Sequence, residues 1–224
     1  MASYPPSDCC ARGFIHEGEP KGTYIDLDNI KTYKTQAGSR DDAIIVILPD
    51  IFGIYLLNTL LIADQFASKS GFTTYIPDIL FNDQIALEDL NSGNSIKAEN
   101  PDKKICVLGY CFGAKYAVQQ GAKDGIADVV AIAHPSFVTI EEVEALKVPI
   151  IISCAEVDGQ FPADKRAETQ AKLQETKATY QIDIFSGVSH GFAARGDPKD
   201  ENVKYAKEKA FFDQSYFFDY HVKK

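Results

Sequence analysis

Six consecutive apolar residues, Ala43–Leu48, rich in isoleucine and valine, run without polar alternation into Pro49-Asp50-Ile51-Phe52-Gly53. A strand with water on one face would alternate, so this run predicts a strand covered on both faces that feeds a loop. Leu56, Leu57, Leu60, Leu61, Asp64, Phe66 and Ala67 then keep a helical period until Gly71, and residues 72–76 form another buried strand closed by Pro77. The same unit recurs, with strands over residues 105–108, 129–133, 148–154 and 179–185 and helices over 114–120, 140–146, 163–175 and 202–220. Ahead of it, residues 23–26 and 30–34 flank Asp28-Asn29, which reads as a hairpin of two short strands. Eight strands with crossover helices predict an open, mostly parallel α/β sheet flanked by helices, in one domain spanning 1–224.

Residues 88–104 break the pattern. They are polar, rich in Asn, Ser, Gly and Asp, and present no convincing helical face, although parallel strands on either side need a crossover. They read as a long connection, or as a point where residues are missing from the chain. Composition then narrows the class: 224 residues with 45% hydrophobic and 25% charged content suit one globular core and exclude disorder, collagen and coiled coil. With 32 acidic residues against 23 basic, the net charge of -9 would repel nucleic-acid phosphates and anionic membrane surfaces. No apolar stretch reaches the roughly 20 residues of a membrane span. The amino terminus lacks the basic and apolar regions of a secretory signal. Cys9, Cys10, Cys106, Cys111 and Cys154 make an odd count in a chain too large to need disulfide staples, so a reducing cytoplasm is the expected location.

Gly109-Tyr110-Cys111-Phe112-Gly113 follows a predicted buried strand and precedes a helix, the form of a nucleophile elbow with cysteine in the serine position. A sharp strand-to-helix turn lifts the nucleophile above the sheet's carboxyl edge, and glycine on each side admits neighbouring backbone. The thiol would sit at a helix N-terminus, where the dipole favours a thiolate. Downstream, Asp158 follows the strand ending at Cys154, and His190 follows the next strand in a loop over 186–191. Nucleophile, acid and histidine in that order match the hydrolase triad, each at the same edge of the sheet.

These residues resemble the dienelactone hydrolase (carboxymethylenebutenolidase) family, in its fungal and plant cytoplasmic type. The resemblance runs along nearly the whole chain: Cys9-Cys10 with His16 and Gly18, Pro49-Asp50-Ile51-Phe52-Gly53, Pro77-Asp78, Gly109-Tyr110-Cys111-Phe112-Gly113-Ala114-Lys115, His134-Pro135-Ser136-Phe137-Val138, Ala155-Glu156-Val157-Asp158 and Ser189-His190-Gly191-Phe192. It implies an eight-stranded α/β-hydrolase fold with Cys111, His190 and Asp158 as the triad and the backbone amides of Phe112 and Ile51 as the oxyanion hole. The implied reaction is acyl transfer from a small ester or lactone through a thioester, with no cofactor and no metal.

Asp50 stands where the bacterial enzymes carry a glutamate that interacts with the thiol and controls its ionisation. Those enzymes also hold a substrate carboxylate with arginines, one in the region of residues 81–104, which here contains none. The family usually places a helix there, and this connection is short. Of Arg12, Arg40, Arg166 and Arg195, only Arg195, five residues after His190, lies near the predicted site, to bind a substrate carboxylate or to form a surface ion pair with Asp197. His134 either lines the pocket or is a hydrogen-bonded loop histidine. Phe52, Tyr110, Phe112 and Phe192 are expected to wall a pocket for a small ring. Cys9-Cys10 with His16 lack a second spaced pair and make a poor tetrahedral metal site. Phe211, Phe212, Tyr216 and Phe217 have the helical spacing of core packing.

The rival reading is a non-catalytic or redox-sensing protein on a hydrolase fold, with Cys111 as a low-pKa sensor thiol. A third is an interaction scaffold. Cys106, five residues upstream on a buried strand, is poorly placed to resolve an oxidised Cys111, and the intact His190 and Asp158 weigh against a scaffold. The expected partner is a small-molecule ester or lactone, with no nucleic acid and no membrane, for a monomer or weak homodimer.

Overall fold

A computed structural model describes residues 1–5, 13–80 and 91–224. Its elements run β1 (Thr23–Leu27), β2 (Ile30–Thr35), β3 (Ala43–Leu48), α1 (Leu57–Ser70), β4 (Thr73–Pro77), α2 (Asn91–Glu99), β5 (Lys104–Tyr110), α3 (Gly113–Gln120), β6 (Val129–Ala133), α4 (Ile140–Ala145), β7 (Ile150–Val157), α5 (Ala163–Glu175), β8 (Tyr180–Ser189), α6 (Phe192–Arg195) and α7 (Glu201–Val222). The eight strands form one sheet in the order β1-β2-β4-β3-β5-β6-β7-β8. β2 pairs antiparallel with β1 and β4, and the pairs from β4 through β3 to β8 are parallel. Asp28 and Asn29 at the hairpin tip both take positive φ, 52° and 67°, a geometry their short polar side chains tolerate.

The unbroken apolar run of β3 has a direct cause. Ile45 and Ile47 pack with Phe66 of α1 and Phe218 of α7 on one face. Ile44, Val46 and Leu48 pack with Ala117, Val143 and Leu173 of α3, α4 and α5 on the other. The chain steps from β3 to β4 on one side, then returns past β3 to β5 on the other. The carboxyl ends of β3 and β5 therefore flank the switch point where open α/β sheets form their crevice.

Three expectations change. Residues 91–99 are helical, whereas their composition suggested no helical face; of the side chains described there only Ile96 is buried, so no periodicity was available to read. Asn100 closes that helix by donating from Nδ2 to the carbonyl of Ile96 at 2.9 Å. The connection's residues 81–90 lie outside the described residues. The last strand continues through Ser189 instead of ending at 185. On α7, Phe217 is buried as expected, but Phe212 and Tyr216 are 47% and 71% exposed, because they face away from the sheet. Among the described residues no helix is long and apolar enough to cross a membrane.

Candidate active site

β5 delivers Cys111 at φ 50°, in the left-handed region that a side chain occupies at a cost of about 1–3 kcal/mol. Its amide donates to the carbonyl of Ala133 (3.1 Å) and its own carbonyl accepts from Ala114 (3.2 Å), which turns the chain at once into α3. The turn is possible because residues 109 and 113 are glycine. A Cβ on Gly113 would sit 2.1 Å from the Leu48 carbonyl oxygen, and one on Gly109 would sit 2.6 Å from Cα of Ala114. The strand end of β3, at Leu48 and Pro49, thus rests directly on the elbow, and Asp50 and Ile51 follow it in the chain.

His190 Nε2 lies 3.2 Å from Cys111 Sγ, and its Nδ1 lies 2.9 and 3.0 Å from the two carboxylate oxygens of Asp158. With a carboxylate as partner, Nδ1 carries the donating proton, which leaves Nε2 to exchange a proton with sulfur. Asp158 Oδ1 also accepts from the amides of Gln160 (2.8 Å) and Phe161 (3.0 Å), so the carboxylate is held in place before the ring reaches it. All three side chains are buried.

The pairing of β7 with β8 brings Asp158 and His190 together. Ala155 faces Phe185, but Val157 faces Ser189, so the register slips between them. Without that bulge, Asp158 would stand opposite Val188; with it, the residues that follow the two strands are Asp158 and His190, and His190 N–H donates to the Val157 carbonyl (3.2 Å). Gly187 absorbs the irregularity at φ 72°, its amide donating to Glu156 Oε2 (2.8 Å).

Ser136 is a neighbour of the thiol that the sequence pattern did not single out. His134 (φ 38°) and Phe137 (φ 63°) fold the segment after β6 back, so that Ser136 N–H donates to the Cys111 carbonyl (3.0 Å) and its Oγ lies 3.5 Å from Sγ. The available signal was position: His134-Pro135-Ser136 leaves the strand next to β5 at the same sheet edge. His134 itself is fully buried, with its ring edge-on to His190 (5.0 Å between centroids) and stacked near Tyr110 (5.8 Å). Neither ring nitrogen has a hydrogen-bond partner among the described residues, unlike the hydrogen-bonded loop histidine entertained above. Burial pushes its pKa well below the ordinary histidine value, and nearby His190 and Arg195 add to the shift.

Asp50 and Arg195 form a buried ion pair. Arg195 is therefore not the surface residue of an Arg195-Asp197 pair; Asp50, 145 positions away, takes its guanidinium. Asp50 Oδ1 also accepts from Phe52 N–H (3.0 Å), and the guanidinium lies 5.4 Å from the Phe52 ring. The Phe112 and Ile51 amides make no hydrogen bond among the described residues, as an oxyanion hole requires. Phe112 packs edge-on to Tyr116 and Phe137. Phe192 packs on His134 and Phe185. Tyr110 belongs to the cluster with Phe66 and Phe218, and it lines a cavity against α1 and α7. A depression of about 500 Å³ borders His190, Phe192, Arg195 and Phe14.

Cys9 and Cys10 lie outside the described residues. His16 donates from Nε2 to the Gly196 carbonyl (3.0 Å) and from its backbone to Asn58 (2.8 Å). Among the described residues, no three histidine, cysteine or carboxylate side chains converge as a metal site would require.

Residues 86–222 match the family model described as the dienelactone hydrolase family. A protein of Talaromyces stipitatus named "Hydrolase tropI" is 34% identical over 254 aligned positions, covering 100% of this chain and 99% of its own. "Dienlactone hydrolase 1" of Gibberella moniliformis is 30% identical over 238 positions, covering 92% and 90%. Among solved structures, a putative dienelactone hydrolase from Klebsiella pneumoniae superposes with a TM-score of 0.70 at 15% identity, over 86% of this chain and 98% of that one.

Proposed function

This chain belongs to the dienelactone hydrolase family and is a hydrolase of carboxylic esters or lactones, and from that premise we propose that it works as one α/β-hydrolase domain through a Cys111-His190-Asp158 triad and a thioester intermediate. The observation that carries the reading is the 3.2 Å approach of His190 Nε2 to Sγ, with Nδ1 held on a carboxylate that two backbone amides already fix.

Transfer of the thiol proton to His190 produces the nucleophile, and sulfur attacks the carbonyl carbon. The carbonyl oxygen becomes an oxyanion and is met by the Phe112 and Ile51 amides, which no other acceptor among the described residues occupies. Collapse forms the thioester and expels the alkoxide, to which His190 returns its proton; with a lactone the new hydroxyl stays on the acyl group. Water, deprotonated by His190, then cleaves the thioester and restores the thiol. Asp158 keeps the imidazole in one tautomer and stabilises its charged form.

Asp50 and Arg195 support an anionic substrate. A substrate carboxylate arriving beside Arg195 competes with Asp50 for the same guanidinium, in a buried setting where such pairs are strong. Phe52, whose ring lies against the guanidinium, and Phe14 and Phe192, which line the depression beside it, supply apolar surface there. A reducing compartment such as the cytoplasm suits a reaction that needs Cys111 as a free thiol.

Hydrolysis of dienelactone, p-nitrophenyl acetate and anionic aryl esters by wild type and Cys111→Ala, run in parallel, tests the proposal. Turnover by wild type that is lost in the variant, with a thioester adduct on Cys111 seen by mass spectrometry, is the expected result. No turnover on any ester, while Cys111 is still rapidly oxidised or alkylated, would favour the sensor thiol instead.

A further inference from the structure

Lys207, Phe211 and Gln214 occupy positions i, i+4 and i+7 of α7 and so share one face of the helix. With Leu61 of α1 and Ala193 of α6 they line a half-open cavity of about 620 Å³ that also reaches Tyr110 and is bordered by the exposed side chains of Glu17, Lys204 and Glu208. That volume suits a small organic molecule. None of the triad residues lines it.

Two polar groups in this cavity are incompletely used. Lys207 Nζ donates to the carbonyls of Ala193 (2.7 Å) and Ala194 (3.3 Å) but has no carboxylate partner among the described residues. Burial pushes its pKa down to about 7, which marks an ammonium poorly solvated where it stands. Gln214 is fully buried and donates from Nε2 to Ser153 Oγ (3.1 Å), while its Oε1 accepts nothing among the described residues. A buried acceptor left unmet costs about 1–3 kcal/mol, which a donor brought to Oε1 would recover.

We propose that this cavity is a second ligand site, distinct from the thiol, for a small hydroxy-substituted aromatic carboxylic acid whose carboxylate pairs with Lys207, whose ring lies against Leu61 and Phe211, and whose hydroxyl donates to Gln214 Oε1. The ammonium selects an acid, the amide oxygen selects a donor, and the apolar walls between them select a flat ring. Lys207 holds the carbonyls of α6, which begins two residues after His190, so an occupant bonds to the same side chain that anchors the element beside the catalytic base. Lactone opening releases a hydroxy acid, and only this link to product rests on the reaction proposed above.

The test uses the full chain with Cys111 blocked by iodoacetamide and 4-hydroxybenzoate as the probe, titrated by calorimetry. Saturable binding at one site with Kd of about 1 mM or tighter is expected. Lys207→Gln, or benzoate in place of the probe, should each weaken it about tenfold. Leu61→Trp, at a partly exposed wall position, should abolish it while circular dichroism reports a folded chain. No saturation by about 10 mM, or binding indifferent to both Lys207→Gln and Leu61→Trp, would overturn the site. Equal affinity for benzoate would overturn the ligand class. Since the readout is binding to thiol-blocked protein, its failure is separable from failure of the hydrolase mechanism.

Discussion

At the scale of single residues, Asp158 has two tasks that can be separated. Its Oδ1 accepts the Gln160 and Phe161 amides, and its carboxylate also receives His190 Nδ1. Asparagine keeps an acceptor for the two amides but offers the ring an NH₂ group, which favours the wrong imidazole tautomer. Asp158→Asn should therefore lower kcat/KM on p-nitrophenyl acetate by about 10⁴-fold while leaving the melting temperature close to wild type. A loss of fold matching the loss of rate would mean the carboxylate serves structure alone. That Cys111, Asp158 and His190 would lie at one edge of the sheet was legible in the sequence, because each follows an apolar strand. The partner of Arg195 was not, because a neighbour 145 positions away leaves no local pattern.

Elements set the distances between those residues. Strands β3 and β5 pair in register from Ala43 opposite Lys104 to Leu48 opposite Gly109, and the absence of a side chain at Gly113 lets α3 start against the end of β3. Gly113→Ala places a Cβ against backbone that cannot rotate away. It should cost about 1–3 kcal/mol of stability in a denaturant titration. By displacing the Ile51 amide relative to Cys111, it should also reduce turnover by about 10²-fold. Full activity in this variant would overturn the oxyanion-hole role proposed for the Ile51 amide. The glycines could be read from the sequence as licence for close approach, whereas the β7–β8 bulge that aligns Asp158 with His190 could not. Residues 186–189 mix polar and small side chains, so nothing in their pattern separates a strand from a loop.

For the whole molecule, the buried histidine beside the site couples stability to pH. His134 stays neutral when folded because burial holds its pKa well below 6.5, and the unfolded chain protonates it at its ordinary value. Below about pH 6.5 the unfolded state therefore binds more protons, and stability falls with pH; above it, the contribution is constant. His16 and His221 are lowered by burial as well and act in the same direction. Thermal unfolding from pH 7.5 to 5 should show this decline. His134→Phe, which removes no hydrogen bond among the described residues, should narrow the loss by about 1.4 kcal/mol per pH unit below 6.5. Parallel curves for the two proteins would mean that His134 is protonated in the folded state.

Periodicity along the chain determined the α/β class, the eight strands and the strand-to-helix turn at Cys111, because each depends on residues close in sequence that bury a strand or turn the chain. Tertiary structure alone decided which strand lies beside which, the slipped register that joins Asp158 to His190, the return of Ser136 to the thiol, and the Asp50–Arg195 pair. These contacts join residues brought together by the sheet order, and their energy comes from burial and geometry that no local pattern encodes.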